Sequence, residues 1–382
     1  MNDRTSAKIP GYRPLGTFRF FLALLVLAQH FTNIAPHTFA ALVVPLRLGS
    51  LAVLVFFAVS GFVIAEAVET HYRGRPGAFL ANRAIRIYPP LLAAFALMLL
   101  VLAGVNSVGP MPHPEPWQPN LEPGAVFSGS NLIANLLSFL PAPKVLGEGI
   151  TYPLIIVAWS IRVEFLFYLV MAAALILPAQ WYRPSLVAAG LLALMAFVVH
   201  TTGRGPEMLQ FMPYFVYGVA LYFVVAGARF ARPVVLIALT GCAVQALLDT
   251  GLNGAAAGIG NAGVDIARVL ILAACLLLLP ILAREQAGRF RATDQALGDL
   301  SYPLYLNHCV LLPVVRSLAP DASVAGLLGA TVAAVALSYL MLLAVEPVLT
   351  GLRDRIRGSA PALLPMVTGR QRPDQLAKAP LR

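Results

Sequence analysis

Charge is scarce in this chain: of 382 residues only 12% are Asp, Glu, Lys or Arg, about half the share of an ordinary soluble domain. Apolar residues make up 59%, and the mean hydropathy is +0.79. A soluble protein of this length needs far more polar surface to cover itself. Disorder is excluded by the same scarcity. Cysteine is also rare, and Cys242, Cys275 and Cys309 all lie in apolar segments, which rules out a disulfide scaffold and makes them small core residues. No P-loop, Ser/His/Asp order or internal repeat is present. His37, His71, His113 and His200 fall at span ends or in loops without metal spacing, so no metal is expected. Gly258-Ile-Gly-Asn-Ala-Gly263 has the G-x-G-x-x-G form, but no strand precedes it and it is set aside.

What the chain has instead is apolar runs of about 20 residues, the length that crosses a hydrocarbon core. The expected fold is all-α, a polytopic membrane protein of about ten spans. They are placed at 15–35, 46–68, 87–106, 150–178, 184–202, 209–227, 232–249, 262–283, 299–317 and 323–347. The first run is read as a retained helix and not a signal peptide. Residues 1–14 form a short N-terminal segment, 15–350 the membrane domain with a Pro-rich outer loop at 107–149, and 351–382 a basic, disordered tail. Within the loop, Asn131 to Leu140 is apolar but too short to span, which suits a re-entrant or interfacial piece.

The net charge of +10 is unevenly distributed. With the N-terminus in the cytoplasm, Arg73, Arg75, Arg83, Arg86, Arg183, Arg229, Arg232, Arg284, Arg289 and Arg291 fall inside. Only Arg47, Lys144 and Arg204 fall outside. That is the positive-inside pattern, and an even number of spans returns the C-terminus to the cytoplasm. The basic charge is a topology signal, so nucleic acid is not an expected partner.

Ionisable groups at membrane depth carry the functional information, since each costs about 2.5–3.5 kcal/mol on insertion scales. The candidates are Arg19, His30, Arg162, Glu164, Asp265, Arg268 and His308. Arg19 and His30 are separated by three helical turns plus about 20°, so they share one face roughly 16 Å apart. A fixed cation at the mouth with an imidazole deeper in suits a negatively charged ligand entering from the cytoplasm. Ser160, Glu164 and Tyr168 form an i, i+4, i+8 stripe, and Glu164 at that depth is expected to orient the imidazole as in a base pair. Arg83 and Arg86 are i, i+3 neighbours expected at a helix start, suited to phosphate. Asp265 and Arg268 are expected to neutralise one another.

Together these elements resemble the acyltransferase-3 family of integral membrane acyltransferases, over nearly the whole chain from Arg19 to Glu346. Arg19 to His30 is similar to its R-x10-H, and Phe56-Phe-Ala-Val-Ser60-Gly61-Phe62 to its FFxxSGF. Arg83-Ala-Ile-Arg86, followed by Ile-Tyr88-Pro, is similar to its RxxR element. Trp159-Ser160-Ile-Arg-Val-Glu164 resembles its WSxxxE, Leu300-Ser-Tyr302-Pro-Leu-Tyr-Leu-Asn-His308 its SYxLYLxH, and Glu346-Pro347 its late E-P. Arg162 and Asn307 depart from the family's usual residues.

The resemblance implies transfer of an acyl group, most often acetyl, from cytoplasmic acyl-CoA to a hydroxyl of a cell-surface glycan or its lipid-linked precursor in the bacterial inner membrane. It implies His30 as the catalytic residue, acting as base or as acyl carrier, with Glu164 beside it. Arg19, Arg83 and Arg86 would face the donor's phosphates. Ser60, Gly61, Tyr88, Trp159, Ser160, Tyr302 and His308 would support the site. Partners would be the saccharide acceptor, membrane lipid and polysaccharide-assembly proteins. The chain would act alone or pass its acyl group to a partner, because no esterase-like domain follows the last span. The alternative is a proton-coupled secondary transporter or flippase using His30 and Glu164 as a relay.

Overall fold

The computed structural model describes residues 12–34, 45–109, 123–138, 150–177, 182–204, 206–256, 262–286, 288–318 and 324–358. The glycine-rich 258–263 segment lies largely outside them, as do much of the Pro-rich loop and the tail after residue 358. The helices are α1 (Leu15–Ile34), α2 (Leu48–Ala67), α3 (Pro76–Val108), α4 (Gly129–Leu137), α5 (Ala158–Ile176) and α6 (Tyr182–Thr201). They continue with α7 (Met212–Val225), α8 (Ala231–Ala256), α9 (Ala262–Leu282), α10 (Arg291–Leu318) and α11 (Val324–Arg357). No strand occurs among the described residues, only an isolated bridge between Tyr12 and Gln286.

Nine of these helices are long and apolar enough to cross a membrane. The remaining long one, α10, contains the expected ninth span. It carries Asp294, Asp299, His308 and Arg316, which lower its hydropathy. From Ser301 to Val310 every residue except Tyr302 is buried, so protein and not lipid surrounds Ser301, Asn307 and His308. α2 is the other central helix, and its apolar residues face neighbours on all sides.

Three boundaries differ from expectation. α3 begins at Pro76, eleven residues before the predicted span, because the Phe79–Arg86 segment is the first part of the same helix. Residues 150–157 precede α5 as non-helical chain; their apolar composition imitates a span start, but their backbone groups bond elsewhere. The last helix continues through Arg357, so the division expected after residue 350 falls inside it.

The predicted re-entrant piece is the nine-residue α4, started by Ser128, whose hydroxyl accepts from Asn131 N–H. Asn131 Oδ1 accepts from the backbone N–H of Thr151 (3.1 Å) and Tyr152 (3.0 Å). Asn135 donates to Tyr152 O (2.9 Å) and accepts from Leu154 N–H (2.8 Å). Two buried asparagines thereby satisfy the backbone of the chain leading into α5.

Close backbone approach fixes the centre of the bundle. A Cβ on Gly61 would stand 2.3 Å from Phe215 O, and one on Gly218 would stand 1.9 Å from Ala58 O. These paired glycines let α2 and α7 touch backbone to backbone. Gly16 and Gly298 do the same for α1 and α10. There Asp294 accepts from Thr17 N–H (2.7 Å) and Gly16 N–H (3.2 Å), capping the start of α1 from another helix.

Candidate active site

α1, α2, α3, α5 and α10 line a chamber that opens to the outside. Its lining includes Arg19, Ser60, Arg83, Arg86, Ser160, Glu164, Tyr168, Ser301, Tyr302 and Tyr305. Along α2 the lining runs from Ile64 to Val53, a rise of about 16 Å, equal to the separation of Arg19 and His30 on α1. The three predicted phosphate-facing arginines therefore meet in one chamber, although they come from two helices.

Each arginine is held differently. Arg19 donates to Gly298 O (3.2 Å) and Ser301 Oγ (2.9 Å), at the place where the two glycines bring α1 and α10 together. Arg83 is buried, with its guanidinium carbon 5.7 Å from the Phe79 ring centroid and 5.9 Å from that of Tyr168. Its Nε has no hydrogen-bond partner among the described residues. Arg19, Arg83 and Arg86 form no ion pair among the described residues. Arg83 and Arg86 lie in the second and third turns of α3, so the helix N-terminus about 15 Å away from Arg86 contributes little, contrary to expectation.

The predicted stripe on α5 is present. Glu164 Oε1 accepts from Tyr168 (2.6 Å) and from Ser60 (3.1 Å). Ser160 pairs with the Tyr305 hydroxyl at 2.7 Å. Glu164 is thus held by hydroxyls within the arginine chamber. It does not orient the imidazole, and Arg162 instead donates to Ser138 O. Arg268 reaches Asp249 (2.8 Å) as well as its expected partner Asp265 (3.4 Å), so the charge is neutralised twice.

The group facing His30 is a second imidazole. The His30 and His308 ring centroids are 5.2 Å apart with 32° between planes. His308 is fully buried. Its Nδ1 lies 3.2 Å from Leu304 O; a carbonyl only accepts, so Nδ1 carries the proton and Nε2 keeps its lone pair. Tyr305 connects the two regions, with its ring 6.1 Å from His308 and 6.0 Å from Phe56 at the deep end of the chamber.

The supporting residues separate into groups. Ser60, Ser160 and Tyr302 line the chamber. Tyr302 also donates to Ile87 O (3.1 Å), beside Pro89 and Pro90, which interrupt the α3 hydrogen-bond ladder. Gly61 is a packing residue between α2 and α7. Trp159 is 42% exposed against Phe57 and Phe211, and Tyr88 packs on Phe165; neither lines the chamber. Ser301 and Tyr305 were not singled out from sequence. Their i, i+4, i+7 spacing with His308 carries the signal that would have found them. Among the described residues no cluster of three His, Cys, Asp or Glu is placed to hold a metal.

Comparison with known proteins gives this geometry a context. The exopolysaccharide production protein ExoZ of Rhizobium meliloti (strain 1021) is 29% identical over 312 residues, covering 77% of this chain and 88% of its own. The acyltransferase MdmB of Streptomyces mycarofaciens is 32% identical over 175 residues, 43% of this chain and 38% of MdmB. Protein 2 in the picA locus of Rhizobium radiobacter is 37% identical over 126 residues, 32% of this chain and 64% of that protein. No solved structure matches. A family model described as an acyltransferase domain matches residues 15–343, which span the arginine chamber and the histidine pair. The chain belongs to the acyltransferase-3 family and is a multi-pass membrane enzyme that transfers acyl groups.

Proposed function

We propose that this enzyme moves an acetyl group from acyl-CoA to a hydroxyl of a cell-surface glycan or its lipid-linked precursor, in the bacterial inner membrane with both termini in the cytoplasm. The observation that carries the donor assignment is the convergence of Arg19, Arg83 and Arg86 on one chamber without ion-pair partners among the described residues. A buried guanidinium with an unsatisfied Nε is a strong site for a phosphate oxygen. Coenzyme A presents a 3′-phosphate and a pyrophosphate, which match three cations better than a single carboxylate would. Its thioester end would extend toward Phe56 and Tyr305.

His30 is the reacting imidazole in this reading. It takes the proton from the acceptor hydroxyl while the oxygen attacks the thioester carbonyl. The carbon–sulfur bond then breaks and the thiolate leaves with the proton restored to sulfur. His308, held by its Nδ1–H on Leu304 O, stands beside it as a positioning residue. Glu164, Ser60 and Tyr168 keep the chamber's polar wall in place. The similarity to ExoZ, whose name states exopolysaccharide production, supports a glycan acceptor.

The test is acetyl-CoA binding by the purified protein, wild type beside Arg83→Ala/Arg86→Ala, followed by calorimetry. Specific binding lost in the double variant supports the donor site. No binding by folded wild-type protein would overturn acetyl-CoA as the donor.

A further inference from the structure

A second cavity also borders α5 but shares no residue with the arginine chamber. It is an open groove among α5, α6, α7 and α8, and every lining residue is apolar or glycine. Phe167, Gly190, Val216, Phe223, Ala231 and Val234 define its walls. A Cβ added to Gly190 would meet only Val216 Cγ1 at 3.6 Å, so there is open space beside the α6 backbone. Such a wall offers water no hydrogen bond, and hydrocarbon is the surrounding solvent at this depth.

One end of the groove is marked by charge. Arg229 and Arg232 bracket the lining residues Phe230 and Ala231 at the turn into α8. Both are exposed, and neither forms an ion pair among the described residues. This turn lies at the same end of the bundle as Arg13, since Tyr222 near the end of α7 packs its ring 5.6 Å from Phe62 and Arg13 reaches the same Phe62 ring.

We propose that the groove binds one acyl chain of an anionic glycerophospholipid, with its phosphate held at the Arg229–Arg232 turn. An apolar slot ending at two exposed guanidinium groups, neither in an ion pair among the described residues, matches the two chemistries of that molecule. A neutral lipid would fill the slot and leave the cations unmatched. This inference is independent of the acyl donor and acceptor.

Native mass spectrometry of the full chain with palmitoyl-oleoyl phosphatidylglycerol, phosphatidylcholine or undecaprenyl phosphate tests it. One phosphatidylglycerol is expected to remain bound in preference to phosphatidylcholine. Gly190→Leu with Ala193→Leu should abolish retention by filling the slot. Arg229→Ala/Arg232→Ala should lower the phosphatidylglycerol preference on the order of tenfold and leave phosphatidylcholine binding unchanged. An unchanged preference would overturn the headgroup site, and retention of undecaprenyl phosphate alone would overturn the choice of occupant. If the filled variant fails to fold, a diazirine-bearing phosphatidylglycerol on wild-type protein decides. Adducts concentrated on the α6–α8 lining peptides support the site; adducts spread around the bundle sink it.

Discussion

His30 on α1 and His308 on α10 face one another with ring centroids 5.2 Å apart. His308 is buried and His30 partly buried, so the two rings meet inside the bundle. His308 meets a backbone carbonyl (3.2 Å), whereas His30 lies on the face of α1 that begins at Arg19.

His30→Ala should reduce acceptor acylation at least about a hundredfold with protein level in the membrane unchanged. His308→Ala should lower kcat by a smaller factor with KM for the donor unmoved, and His308→Asn, which can still donate one hydrogen bond, should recover part of it. Steady-state assays on membranes with matched protein content check this. Equal donor KM increases in both variants would place the pair in donor binding instead.

Direct transfer leaves no acyl group on the protein. Incubation with acetyl-CoA in the absence of acceptor should therefore leave the intact mass of the enzyme unchanged. A mass increase of one acetyl group that disappears in His30→Ala would establish a covalent relay.

The three arginines predict a binding phenotype. Arg83→Ala should raise KM for the donor about ten- to hundredfold, the range for a hydrogen bond to a charged group. Arg83→Lys should recover little, because an ammonium cannot reproduce the planar contact with the Phe79 and Tyr168 rings. Donor titration at two salt concentrations checks both. Unchanged affinity would return Arg83 and Arg86 to a topological role.

Glu164→Gln removes one charge and unsettles two hydroxyl donors, those of Ser60 and Tyr168. The expected result is weaker donor binding together with about 1–3 kcal/mol of lost stability. Thermal unfolding and calorimetry read the two effects separately. Tighter donor binding in Glu164→Gln would mean that the carboxylate opposes the phosphates and does not support the chamber.

Gly61→Ala and Gly218→Ala should each destabilise the bundle by about 1–3 kcal/mol, since the added carbon would lie 2.3 Å or less from a backbone oxygen. Gly77→Ala, where nothing lies within 4 Å, is the control. Loss of donor binding without loss of thermal stability in Gly61→Ala would instead assign that glycine to the site.

Hydrophobic run length determined by itself that the chain is helical and membrane-embedded, because 20 apolar residues admit few other structures in water or lipid. Helical arithmetic on one segment also placed Arg19 and His30 on a shared face, and Ser160, Glu164 and Tyr168 on another. Those relationships lie within a single helix, where spacing and geometry are the same thing. The start of α3 was not legible, because the polar residues between Phe79 and Arg86 look like a loop until the chamber that they line is known. For the same reason α10 is polar: it is buried by other helices, and hydropathy cannot register shielding. Which groups meet across helices was decided only by packing. The glycine pairs Gly61–Gly218 and Gly16–Gly298 set how closely the helices approach. Packing of α5 beside α2 gives Glu164 to Ser60, and the approach of α1 and α10 brings His308 to His30 from a segment far along the chain.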